Sequence, residues 1–178
     1  MLNIANVNIM VDCESILANP ITTGTIQQPA KASPENVSII ADPKLIALPQ
    51  GQGSSSLLLQ FPVGSTICWR GLSLSNNADH TVMLYDIAKD SGSVIIDAPT
   101  PMLSFVPEPV PYEDPASDDV DPLHFTVQQL PDFYYECRLI NTGRATYKFS
   151  FYITEEEQDN VTVLGYFYWT GTLTKQGA

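Results

Sequence analysis

The sequence predicts an all-β fold, a two-sheet antiparallel β-sandwich of jelly-roll or Greek-key type with little helix. Two observations carry this. Apolar and polar residues alternate with period two in one segment after another, which places side chains on opposite faces of extended strands so that one face buries and the other meets water. Turn-forming residues then punctuate these segments at short intervals, with 14 Pro and 10 Gly in 178 residues, and no heptad or internal repeat appears.

In chain order, Ala5, Val7, Ile9, Val11 and Cys13 alternate with Asn6, Asn8, Met10 and Asp12, a first strand with one wet face. Asn19-Pro20 ends it, and the chain stays polar and turn-rich to about Pro34. Short strands are expected at Val37 to Ala41 and at Lys44 to Leu48. Leu57, Leu59 and Phe61 follow the Gly51-to-Ser56 turn, and Thr66 to Leu74 carries Ile67, Trp69 and Gly71 on one side. The turn Ser75 to Asp79 leads to His80–Ile87, read as the return strand of a hairpin, and Ser93 to Ile96 adds another short strand. Leu123, Phe125 and Val127 alternate again.

The clearest pattern is a three-strand meander. Phe133, Tyr135, Cys137 and Leu139 share a face. Tyr147, Phe149, Phe151 and Ile153 share the next, and Val161, Val163, Phe167 and Trp169 line up around Gly165. Asn141 to Arg144 and the polar run Glu155 to Asn160 are the two turns.

Residues 1–178 read as one domain, long enough to bury roughly 70% of its unfolded surface without disulfides or metal. One segment stands apart. Residues 99–122 hold Pro99, Pro101, Pro107, Pro109, Pro111, Pro115 and Pro122 together with six carboxylates. Proline cannot donate to a ladder and like charges resist burial side by side, so a long exposed loop is expected there.

The net charge of −12 disfavours nucleic acid and anionic membrane surfaces, whose recognition depends on Lys and Arg. The pI near 4.2 means that repulsion between copies fades on acidification. Cys13, Cys68 and Cys137 each fall within an expected strand, where a thiol acts as a small apolar group. The first residues lack a basic and then apolar leader, and no window reaches the length of a membrane span; a cytoplasmic protein is expected.

No pattern of residues points to catalysis or to a cofactor. Gln50-Gly51-Gln52-Gly53 lacks the Lys and following helix of a phosphate loop. With His80 and His124 the only histidines and no C-x-x-C, a zinc site has no ligand set, and Ser65 has no nucleophile-elbow setting. Asp114, Asp118, Asp119 and Asp121 offer hard oxygens for calcium without the loop spacing or its glycine, the alternative being a solvated loop with no ion. Tyr134, Tyr152, Tyr166 and Tyr168 fall opposite the clearest apolar positions, and Tyr112 lies in the acidic segment. Such rings stack on sugars in carbohydrate-binding sandwiches, and equally serve as sheet packing or as a protein interface.

The chain resembles the bacterial PixA/AidA family of inclusion-body proteins. The resemblance rests on Val7 to Asp12 followed by Ile16 to Pro20, on Gly51 to Phe61, on Val63-Gly64-Ser65, and on Trp69 to Leu74. Asn76 to Asp79 and Val82 to Tyr85 extend it, and Leu164-Gly165-Tyr166-Phe167-Tyr168-Trp169 is its most specific part. This chain continues into Thr170-Gly171 where the family usually has Asp-Pro, and with four Met it lacks the methionine richness of some members. The resemblance implies a β-sandwich and a non-enzymatic bacterial accessory protein that self-associates, with inclusions as its cytoplasmic form. It further implies growth-phase or quorum-sensing control and a link to host interaction. A lectin-like module with a glycan ligand is the alternative.

Overall fold

The computed structural model describes residues 3–18, 23–46, 52–75, 78–113, 120–157 and 160–177. Ten strands form two sheets: β1 (Ile4–Val11), β2 (Ala30–Lys31), β3 (Val37–Ala41), β4 (Ser56–Leu59), β5 (Thr66–Ser73), β6 (His80–Gly92), β7 (Thr100–Glu113), β8 (Val120–Arg138), β9 (Gly143–Glu157) and β10 (Asn160–Lys175). The first sheet runs β3-β1-β5-β8-β7 and the second β2-β10-β9-β6, with β4 also paired to β10. Among the described residues, helix is confined to α1 (Cys13–Ala18) and a 3-10 turn at Pro34–Asn36. The predicted two-sheet sandwich is therefore what the chain forms.

The sheets are mixed rather than purely antiparallel. β1 pairs antiparallel with β3 but parallel with β5, Val7 lying opposite Ala41 on one side and Trp69 on the other. β10 takes β2 and β4 as parallel neighbours. A parallel pair needs a long crossover, and the chain from α1 through β4 supplies one between β1 and β5. Cys13 begins α1 rather than ending a strand: Asp12 accepts hydrogen bonds from the Ser15 backbone N–H at 3.0 Å and the Ser15 hydroxyl at 2.8 Å, which turns the chain into the helix. The expected strand at Lys44 to Leu48 reduces to an isolated bridge from Ile46 to Leu59 in its described part, and Ser93 to Ile96 to one from Ile96 to Leu139.

Neighbour assignment is the second correction. β5 and β6 do not form a hairpin, and β8 does not pair with β9; in each case consecutive strands belong to opposite sheets. Alternation specifies a buried face but not the partner strand, and the inner faces of two packed sheets read alike. Only the last hairpin is as expected, β9 and β10 pairing antiparallel from Glu157 and Asn160 down to Gly143 and Lys175. Within it a bulge between Val163 and Gly165 reverses the phase of β10. Val161 and Val163 therefore lie outside, 67% and 43% exposed, while Phe167 and Trp169 are buried.

The core is aromatic and bridges the sheets. Trp69 of β5 packs 5.2 Å from Phe149 of β9, which lies 5.7 Å from Trp169 of β10. The Trp69 indole donates to Cys137 Sγ at 3.3 Å, and the Tyr135 hydroxyl of β8 donates to the Tyr85 carbonyl of β6 at 2.6 Å. Gly71 permits the close approach of β5 to β6, since a Cβ there would meet Val82 at 3.1 Å and Leu84 at 3.2 Å.

The chain divides into two compact units, one of Met1–Thr100 with Tyr134–Ala178 and one of Pro101–Phe133. The second overturns the expected loop at 99–122. Its described residues lie in β7 and in the first part of β8, which are hydrogen-bonded neighbours, and β8 continues through Leu130 and Pro131. The prolines do not forbid this because Pro107, Pro109 and Pro111 are two residues apart. Alternate backbone nitrogens of a strand point to opposite sides, so all three point to one side. β7 is the edge strand of its sheet, and an edge strand accepts prolines of this spacing because one of its two sides has no neighbour to receive a donor. The expected exposure does hold: among described residues 101–113 and 120–133 none is buried.

Candidate functional site

Three places carry groups capable of recognition. The first is a shallow cavity of about 320 Å³ lined by Asp12, Cys13, Glu14, Ser73, Leu74, Ser75 and His80. A Cys and a His in one cavity invite a nucleophilic reading, and the electrostatics oppose it. Burial, with Asp12 and Glu14 adding negative charge, pushes the Cys13 thiol up to about 12, so the thiolate that attack requires is absent at neutral pH. Asp12 is committed to capping α1. His80 Nε2 lies 4.0 Å from Glu155, its opposite number across β6 and β9.

The second is a band of tyrosines along the second sheet. Tyr152 and Tyr166 are register partners with ring centroids 5.8 Å apart. Tyr85, which sequence reasoning did not single out, joins them at 6.3 Å from Tyr152 and 5.9 Å from Tyr166. It does so by plain alternation, on the face of Met83 and opposite the buried Val82 and Leu84, Met83 being the register partner of Tyr152. Burial pushes the Tyr85 hydroxyl above the usual tyrosine range. Tyr168 carries the Lys148 ammonium 5.5 Å from its ring centre. Tyr134 is elsewhere, on β8, with the Arg70 guanidinium 4.9 Å over its ring. Of the five candidate tyrosines the fold thus unites Tyr152, Tyr166 and Tyr168 along one strand pair, and leaves Tyr134 and Tyr112 apart. The rings mostly face one another or a cation, which is the geometry of sheet packing.

The third is the ribbon of β7 and β8. Leu103 and Phe105 share one face of β7, each 63% exposed; Leu123, Phe125 and Val127 share a face of β8 at 87%, 64% and 61%. Tyr112 lies on β7 and is 43% exposed. Asp121 accepts from the Leu123 backbone N–H at 2.9 Å and lies 2.5 Å from His124 Nδ1. The contact with His124, then that with Leu123, holds its carboxyl below the usual range. Both of its oxygens are thereby engaged. Asp114, Asp118 and Asp119, the other calcium candidates, lie outside the described residues, and among the described residues no group of three or more His, Cys, Asp or Glu is placed to hold a metal. The signal for the ribbon was in the sequence: Leu123-Phe125-Val127 alternates openly, and Leu103-Phe105 continues that pattern beneath the prolines.

Fold and site together define a two-sheet β-sandwich that, among its described residues, exposes rows of large apolar side chains on a strand ribbon. The family model for PixA, described as inclusion body protein, matches residues 3–174, and the chain belongs to that family. The fold is similar to the crystal structure of an inclusion body protein of the PixA family from Burkholderia cenocepacia J2315, with a TM-score of 0.77 at 18% identity over 98% of this chain and 97% of that one. No curated protein matches the chain at a significant level. No helix among the described residues is long and apolar enough to cross a membrane.

Proposed function

We propose that this protein is a non-enzymatic, self-associating protein that accumulates as dense cytoplasmic deposits. The observation that carries the reading is the gathering of exposed large apolar side chains on one segment, nearly half of those among the described residues lying between Met102 and Val127. Single exposed apolar residues need no explanation, whereas a contiguous group marks an interaction surface. Membership of a family described as inclusion body proteins supports copies of the same chain as the partner. The high thiol pKa in the cavity and the tyrosines packed against one another support a role without bond-making chemistry. Growth-phase or quorum-sensing control and a link to host interaction belong to the same proposal.

The net charge of −12 opposes assembly at neutral pH, so association strengthens as pH falls toward the pI near 4.2. Static light scattering of the purified protein tests this. The expected result is particles above monomer mass at neutral pH, growing as pH is lowered to about 5. A monomer mass unchanged across that range contradicts self-association.

A further inference from the structure

We infer that the ribbon of β7 and β8, in its described residues 101–113 and 120–133, is a dimerisation arm whose apolar side-chain rows pack face to face against the same rows of a second copy of this chain. The inference rests on the self-association proposed above and names where it occurs.

The ribbon cannot be stabilised from within. A lone two-stranded hairpin is marginal in water, and none of the described side chains at 101–113 and 120–133 is buried. Leu103, Phe105, Leu123, Phe125 and Val127 are each more than three-fifths exposed. Summed over the two rows their exposed surface is on the order of 700 Å², close to the ~800 Å² that each partner contributes to a standard interface.

The chemistry of the ribbon decides how the partner docks. Strand addition along β7 is disfavoured, because Pro107, Pro109 and Pro111 have no N–H to donate and proline in an edge strand guards against such pairing. Recognition is left to the side-chain faces. Between Pro99 and Phe133 there is no Lys or Arg to recognise an anionic partner. Apolar rows, by contrast, are self-complementary, which is what a two-fold interface requires: the same patch serves both copies. Dimers built this way are the unit from which larger deposits would grow through other contacts.

Sedimentation velocity on the full chain from about 1 to 100 µM at neutral pH tests the assignment, with unfolding midpoints measured for every variant. The wild type is expected to dimerise. Leu123→Ser/Phe125→Ser raises its dissociation constant at least about a hundredfold, as loss of central apolar anchors does. Val161→Ser, removing a residue 67% exposed on β10, leaves dimerisation unchanged, and all midpoints measured on dilute monomer stay alike. A wild type that is monomeric throughout overturns both the arm and the self-association it rests on. A wild type that associates while the double variant associates equally overturns the arm alone, and so does an equal loss in Val161→Ser.

Discussion

Phe149 and Phe125 stand in long strands of the same alternating pattern and meet opposite surroundings. Phe149 is fully buried between Trp69 and Trp169; Phe125 is 64% exposed. In the first unit every inner face is met by the other sheet, with Tyr135 and the Trp69 indole tying strands by directed hydrogen bonds. In the second, the same period-two pattern produces apolar rows with none of its described residues buried. Alternation makes a face; whether that face stabilises the fold or recruits a partner depends on what lies opposite it.

The largest effect that separates the units is the loss of a core ring. Phe149→Ala is expected to lower stability by about 3–5 kcal/mol, the cost of a large buried aromatic and its cavity. Phe125→Ala in dilute protein should stay within about 0.5 kcal/mol of wild type, as exposed positions do. Urea denaturation of both variants reads the contrast directly, and equal losses would erase the distinction drawn between the units.

Glycines of β10 test packing more finely. A Cβ at Gly171 would lie 2.7 Å from the Trp169 ring and 3.2 Å from Phe149, and one at Gly165 would lie 3.0 Å from Phe167 and 3.2 Å from Thr23. Gly171→Val and Gly165→Val are each expected to destabilise by about 1–3 kcal/mol through overpacking. Denaturation midpoints unchanged by both would show open space where the rings are placed.

A smaller effect should appear in alkali. Burial pushes the Cys137 thiol from 9.0 to about 12. The unfolded thiol releases its proton first as pH rises, so this contribution to stability is intact below about pH 9 and is lost as pH climbs toward 12. Denaturation midpoints at pH 8 and 10.5 should therefore fall more steeply for wild type than for Cys137→Ala. Parallel declines would place that thiol in water.

Much of the first unit was legible in the sequence because burial leaves a local trace. Ala5, Val7, Ile9 and Val11 alternate and are all fully buried, and the β9 row from Tyr147 to Ile153 behaves likewise. Sheet membership was not legible, since the turn at Asn141 to Arg144 reads the same whether the chain reverses within a sheet or crosses to the other. The bulge at Leu164 was hidden because one inserted residue leaves Val161 and Val163 looking continuous with Phe167. Among candidate site residues, the pairing of Tyr152 with Tyr166 follows from a hairpin the sequence does show, whereas Tyr85 joins them because β6 lies beside β9, a pairing that alternation alone does not specify. Proline content concealed the ribbon: prolines and six carboxylates together point to a loop, whereas the even spacing of Pro107, Pro109 and Pro111 is what lets a strand accept them.

Hydrogen–deuterium exchange on the full chain at two protein concentrations tests most directly whether the first unit holds the fold while the second makes the contact between copies. Amides of β1, β5, β9 and β10 are expected to stay protected in dilute and concentrated protein alike, their openings being governed by the core. Amides of residues 101–113 and 120–133 should exchange quickly when dilute and become protected as concentration rises through the association range. Ribbon amides equally protected at both concentrations, or protection that grows only in the first unit, would contradict the account.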